Sequence, residues 1–270
     1  MVYWFDGQPR EGDTLSLAAN EPAFLYGATA FTTLRVYQHS LDHPLTHWND
    51  HLQRLRHTLE TFQWTAPNWN RVRRGADWLQ PSFPVLRITC FPDGRELIAG
   101  RPLPADLSQK QGQGITAWLA TPETYRRALP NHKTGNYLGS WLALQQAQRR
   151  GAAEAILIDG AGHWLETSTG SLWGWGQGQW WTPPLASGLL PGIARQHVID
   201  HLQHQGIAVG QDPWGPEVIH RLDSLAYSNA VVEIVPIHTV ITDHSKLVFN
   251  AKAASLKGLR AAFEAIDPEI

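Results

Sequence analysis

One cysteine and one methionine in 270 residues leave this chain almost without sulfur chemistry. A lone Cys90 cannot build an internal disulfide framework, which fits a reducing compartment such as the cytoplasm. It stands in the run Leu86-Arg-Ile-Thr-Cys-Phe, a strand pattern in which it reads as a small core hydrophobe. Net charge is scarce too. The formal value of −2 excludes a general electrostatic grip on nucleic acid or on an anionic membrane. No eighteen apolar residues follow one another, so no transmembrane helix is expected. Asp6 and Glu11 stand where a secretory leader would be apolar. Zinc-ligand spacings, a G-x-S-x-G elbow and a GK[ST] phosphate loop are all missing. The thirteen histidines are scattered, and His197, His201 and His204 read as one solvated helix face.

What remains is the composition of an ordinary soluble globular protein, 43% hydrophobic and 17% charged. The length suits two modest domains or one large one, with room for a substantial core. Thirteen tryptophans read as packing and interface residues rather than as a ligand signature.

Taken in order, residues 2–8 read as a strand and turn, and 15–18 as a second short piece. A bend around Gly27 leads into a strand over 31–37. Residues 48–62 form a helix with Leu52, Leu55, Leu59 and Phe62 on one stripe. A second helix over 68–79 precedes a strand over 84–91 that carries Arg87. A charge inside an apolar strand is costly unless it faces solvent or an anion. The Pro-, Gly- and Gln-rich stretch 101–114 reads as a boundary. It divides a domain over 1–107 from a larger one over 115–270, with 108–114 as linker.

Residues 131–173 are the stretch the rest is arranged around. Lys133 precedes a helix running to about Arg150. An apolar strand starts at Glu154, turns at Gly160-Ala-Gly, and returns through His163-Trp-Leu-Glu166-Thr-Ser. Later, Gly188-Leu-Leu-Pro-Gly192 opens into a helix over 193–204, whose first N–H groups are a natural seat for a phosphate. A strand begins near Ser224, and a last helix over 251–266 buries Leu256, Leu259, Phe263 and Ile266.

These segments come in a recognisable order. Tyr26-Gly-Ala-Thr-Ala-Phe-Thr-Thr-Leu-Arg-Val, His51-Leu-Gln-Arg54-Leu, Lys133-Thr-Gly-Asn-Tyr-Leu, Glu154-Ala-Ile-Leu-Ile-Asp with Glu166-Thr-Ser, Leu190-Pro-Gly-Ile-Ala-Arg and Ser228-Asn-Ala resemble the fold-type IV (class IV) pyridoxal-phosphate enzymes. That family includes branched-chain and D-amino-acid aminotransferases and aminodeoxychorismate lyase. The resemblance implies a mixed α/β protein, with a small N-terminal domain followed by a larger barrel-like one. It also implies a homodimer, a small-molecule substrate and pyridoxal 5'-phosphate as cofactor.

Residue by residue, the resemblance implies that Lys133 forms the Schiff base and moves protons, and that Glu166 pairs with the pyridine nitrogen. Arg54 would contact the phosphate, together with Gly192 and the N–H groups of Ile193 and Ala194. Ser228, Asn229 and Ala230 would lie near it, and Tyr137 beside the ring. Thr29 or Thr33 would assist catalysis, with Thr32 also open, and Tyr26, Phe31 and Arg87 would meet substrate. Arg95 and Arg101 are further candidates for a substrate carboxylate. Departures are Ala194 and Ala230 where threonine is frequent, and Leu172 where an asparagine is usual. Phe31-Thr-Thr-Leu-Arg-Val and Asn229-Ala resemble the lyase branch, which eliminates pyruvate from 4-amino-4-deoxychorismate to leave 4-aminobenzoate for folate. The alternative is an aminotransferase for branched-chain or D-amino acids. A non-catalytic binding protein is a third reading, against which the intact Lys133 and Glu166 count.

Overall fold

Alternation of apolar and polar side chains in the first hundred residues produces strands with one face to bury and one to present. The computed structural model describes residues 2–121 and 123–264. Its chain divides into two units, residues 1–105 with 132–137 and residues 106–131 with 138–270.

In the first unit the elements are β1 (Val2–Phe5), β2 (Gln8–Glu11), α1 (Pro22–Tyr26), β3 (Ala30–Arg35), α2 (Trp48–Thr61), α3 (Trp69–Leu79), β4 (Val85–Cys90) and β5 (Glu96–Arg101). The strands form an antiparallel sheet in the order β2-β1-β5-β4-β3. One face carries Ala30, Leu34, Leu86, Ile88 and Ile98. It packs on Leu52, Leu55 and Leu59 of α2 and on Val72, Ala76 and Leu79 of α3. Each such leucine or isoleucine contributes roughly 1.5–3 kcal/mol by leaving water, so this stripe is what holds α2 in place. The opposite face carries Phe31, Thr33 and Arg35, paired across to Thr89, Arg87 and Val85. Cys90 is fully buried, and burial pushes its thiol up to about 12, which makes it an inert packing group.

Two expectations need correction here. Residues 15–18 form no strand; the partner of β1 is β2, joined to it by a tight turn at Asp6-Gly7, and Leu15-Ser-Leu-Ala has no neighbouring strand to pair with. The bend expected around Gly27 is the end of a short helix rather than a loop, and Gly27 closes α1 with φ of 64°, a left-handed cap that suits glycine.

Residues 132–137 count with the first unit because they add to the free side of β3. The Phe31 N–H donates to the Lys133 carbonyl at 2.8 Å and the Gly135 N–H to the Thr29 carbonyl at 2.8 Å, with a bridge between Ala30 and Thr134.

The second unit holds α4 (Leu107–Gln113), β6 (Ile115–Ala120), α5 (Leu138–Arg149), β7 (Glu154–Ile158), β8 (Trp164–Thr167), β9 (Ser171–Gly176), β10 (Gln179–Trp181), α6 (Ile193–His204), β11 (Val209–Gly210), α7 (Pro216–Ile219), β12 (Ser224–Asn229), β13 (Glu233–Ile241), β14 (Lys246–Val248) and α8 (Ser255–Ala261). The expected linker 108–114 is therefore mostly helix. The prolines of 101–114 stop at Pro104, Leu107 is buried, and Lys110 pairs with Asp106 one turn away at 2.9 Å. The last helix is shorter than expected, with Leu256 and Leu259 buried, and Ile266 lies outside the described residues.

Six of these strands close on themselves in the order β9-β12-β13-β6-β7-β8, with β8 returning to β9 through the pair Glu166 and Ser171. This closed, barrel-like sheet is filled by Ile115, Ile156, Trp164, Leu172, Leu225 and Val235, one from every strand of the ring, which places the cluster inside it. Outside, α6 and α8 cover Trp173, Ala226 and Ile234, while Ala143 and Ala147 of α5 cover Trp118, Ala120 and Leu157.

Candidate active site

Lys133 is half-buried beside the sheet face that carries Phe31. Its Nζ lies 4.9 Å from the Phe31 ring centre and 5.0 Å from that of Tyr137, within reach of both π faces. The two rings meet edge to face at 5.8 Å, and the Arg87 guanidinium stands 3.6 Å from the Phe31 ring centre. Phe31 thus gathers Lys133, Tyr137 and Arg87 around one aromatic side chain. Thr33 is two residues further along the same face, opposite Arg87 in register. Thr29, two residues before Phe31, lies against the lysine loop. A side chain at Gly135 would run into the Thr29 hydroxyl and the Gly27 carbonyl, so only glycine allows this close approach. Tyr26, expected to meet substrate, is 75% exposed at the end of α1. Arg95 is ion-paired to Glu21 at 2.5 Å and Asp93 at 2.6 Å, so it is occupied.

Behind this face, Arg54 turns inward while Arg56 lies over Trp69. Arg54 Nη2 donates to the Thr32 hydroxyl at 3.0 Å, and that hydroxyl is 2.5 Å from Nδ1 of the buried His51. Burial first, then the positive charges of Arg54, His47 and Lys133, hold the His51 imidazole well below its usual range. It is neutral at pH 7 and orients Thr32 rather than carrying charge.

In the second unit Glu166 sits at a bulge. Trp164 pairs with Ile158 but Thr167 with Ile156, so β8 carries one extra residue, and the side-chain alternation is reset at Glu166. Its carboxylate accepts from Arg127 Nη1 at 3.2 Å and from the Leu190 N–H at 3.3 Å, with both charged side chains buried. Ser171 pairs with Glu166 on one side and with Ser228 on the other, which sets three polar residues in one row across the sheet. Gly192 begins the twelve-residue α6, and no side chain caps that helix. A Cβ at Gly192 would stand 2.8 Å from Ser171 Oγ, so the glycine keeps room between the helix start and the row. Ser228 accepts from Trp173 Nε1 at 2.9 Å. Asn229 also has a structural task. Its carbonyl oxygen accepts from the N–H groups of Val231 and Val232 and its amide reaches Thr169, so it ties the turn containing Ala230 to the preceding hairpin. Glu154 is buried beneath that hairpin, accepting from Ser168 and Thr169 at 2.5 Å each; burial raises its carboxyl above the usual range against these bonds.

With the geometry in hand, the family model described as "Amino-transferase class IV" matches residues 29–240, most of the chain. The chain belongs to the class IV aminotransferase family. The branched-chain-amino-acid aminotransferase of Escherichia coli is 26% identical over 262 residues, covering 88% of this chain and 84% of the relative. Its solved structure matches with a TM-score of 0.78 at 24% identity, covering 97% and 92% of the two chains. The aminodeoxychorismate lyase of Vibrio harveyi is 23% identical over 269 residues, covering 92% and 94%. A solved structure with a provisional 4-amino-4-deoxychorismate lyase assignment matches with a TM-score of 0.68 at 29% identity, covering 84% and 90%. The closed sheet of the second unit is the fold-type IV architecture that this class IV membership implies.

Two site groups escape the sequence. Arg127 follows another arginine in a loop, and nothing in that pair says which one turns inward. His51 lies in the same motif as Arg54, but only its burial marks it as Thr32's partner. Among the described residues no helix is long and apolar enough to cross a membrane, and no cluster of His, Cys, Asp and Glu could hold a metal ion.

Proposed function

We propose that this class IV protein is a 4-amino-4-deoxychorismate lyase, releasing pyruvate to leave 4-aminobenzoate. The residues present fit pyridoxal phosphate. They offer a half-buried lysine amine, a carboxylate braced by Arg127 and a backbone N–H, and an uncapped helix start kept open by Gly192. An aldehyde, a ring nitrogen and a phosphate need that donor set. Bound there, the cofactor supplies an aldehyde that captures an amine and a protonated ring that accepts electrons.

Lys133 would hold the cofactor's aldehyde, and its amine would take the proton from substrate C4 and later return one to the departing pyruvate. Glu166 holds the proton on the ring nitrogen. Arg54, the N–H groups of Ile193 and Ala194, and the Ser228 hydroxyl are assigned to the phosphate. Tyr137 and Phe31 bound the space around the lysine amine. Arg87, stacked on Phe31, is the group best placed to take a substrate carboxylate.

The observation that carries the lyase reading is position 33. Branched-chain aminotransferases resemble one another in the pattern Phe-Glu-Gly-Ile-Arg, with a glycine there. Here a threonine hydroxyl stands on the strand face that bears Phe31, against which the Lys133 amine lies. The likeness to the E. coli enzyme favours a second reading, an aminotransferase for branched-chain or D-amino acids. The two differ in what they consume, since a transaminase needs a 2-oxo acid acceptor and the lyase needs none. The cofactor-loaded protein given 4-amino-4-deoxychorismate alone should form pyruvate and 4-aminobenzoate in equal amounts. No product there, with transfer from an amino acid to a 2-oxo acid, would replace the lyase reading by the second.

We also propose that the protein works as a homodimer in the cytoplasm. Phe24, Leu25 and Tyr26 of α1 are 76, 50 and 75% exposed, an apolar run that a second copy would cover. Activity that persists undiminished after dilution to monomers would contradict this.

A further inference from the structure

His132 is the residue before Lys133, and α2 together with Phe62 just after it holds it in three ways. Its Nδ1 lies 3.1 Å from the Thr58 hydroxyl. Its ring stacks on His57 at 5.6 Å with 20° between the planes, and meets Phe62 at 4.8 Å. The direction of the hydrogen bond follows from counting hydrogens. Thr58 Oγ1 gives its single hydrogen to the Arg54 carbonyl at 3.1 Å, and a carbonyl can only accept. Thr58 must therefore accept from His132, which fixes the proton on Nδ1.

The consequence reaches the lysine. On one side the lysine loop is pinned to β3 through the Lys133 carbonyl and the Gly135 N–H. On the other, His132 pins it to α2, in the turn after the one that carries Arg54. The helix itself is tied to β3 through Arg54 and Thr32. The chain just before Lys133 thus has anchors on both of its neighbours.

We propose that His132 is the positioning residue of Lys133: its Nδ1–H bond to Thr58 and its stack on His57 and Phe62 fix the direction in which the lysine amine leaves the chain. This rests on Lys133 being the reactive lysine. The bond and the stack can be separated. His132→Phe keeps a ring and removes the donor. His132→Asn keeps an N–H the same number of bonds from Cα and removes the ring. Thr58→Val removes the acceptor and leaves His132 in place.

Two measurements test the proposal. In the cofactor-free full chain, amide hydrogen exchange at Phe31 and Gly135 should quicken about tenfold in His132→Phe and in Thr58→Val. It should quicken no further in the double variant, and His132→Asn should recover part of the loss. After addition of pyridoxal phosphate, the absorbance band at about 410–430 nm, where a lysine Schiff base is expected, should grow in about tenfold more slowly in the same two variants. Wild-type exchange together with wild-type band growth in both would overturn the positioning role, as would additive effects in the double variant. Lys133→Ala separates the two claims. If it still develops the band, the assignment of Lys133 fails, whereas the exchange result stands or falls without any cofactor. Should His132→Phe fail to fold, Thr58→Val carries the test alone.

Discussion

The lysine and the glutamate are held by opposite means. Lys133 lies on a loop that adds to the side of an open sheet, secured by two backbone hydrogen bonds and by the hydrogen bond between His132 and Thr58. Glu166 belongs to a strand that closes a ring, and a buried guanidinium and a backbone N–H brace its carboxylate. Ring closure removes free strand edges, and a buried ion pair is severe about losing a partner. Under the proposed function Lys133 must release and recapture a bond, which a lighter mounting favours, while Glu166 must keep one proton in one place, which a rigid mounting favours.

The largest expected effect is at the lysine itself. Lys133→Ala should cut turnover by at least roughly 10,000-fold, about 5 kcal/mol of barrier, while circular dichroism shows a folded protein. A normal rate would remove Lys133 from the mechanism. Stability should respond in the other half. Arg127→Met leaves the buried Glu166 carboxylate without its cation and should lower unfolding free energy by about 3–5 kcal/mol in urea titrations. Arg54→Met loses a hydrogen bond from a charged donor to a hydroxyl and should cost about 1.5–3 kcal/mol. Equal losses would erase the contrast between the two mountings.

Glu166→Gln should slow proton abstraction about 100-fold, near 2.7 kcal/mol, seen as a larger isotope effect on substrate deuterated at C4. Unchanged kinetics would count against its pairing with the ring nitrogen.

The smallest effect is the pH dependence from His51. Its folded-state affinity for a proton is held well below the usual 6.5, so below that pH the unfolded chain binds a proton that the native chain refuses. Stability should therefore fall on acidification from about pH 6.5, by up to about 1.4 kcal/mol per pH unit from this group. His51→Phe should flatten that part of the curve. A slope identical to the parent's would show that His51 titrates normally.

Patterns with a short repeat were readable in advance. The stripe of Leu52, Leu55 and Leu59 places α2 because three-and-four spacing leaves one buried side whatever lies opposite. The glycine turn before Ile193 announces a helix start for a similar local reason. Compositional readings fared worse: 101–114 looks like a linker by its prolines and glycines, yet Leu107 and the Asp106–Lys110 pair make its second half helical. Leu15-Ser-Leu-Ala alternates as a strand should and has no partner strand to pair with.

The sequence by itself determined the order of motifs, the family they resemble and the apolar stripes, because each depends on neighbours within a few residues. Only the tertiary structure decided that Arg127 rather than Arg126 meets Glu166, that Asn229 ties a turn, and that His132 rests on α2. Those choices join residues tens of positions apart. Which of two similar side chains turns inward depends on what the rest of the chain has already placed there.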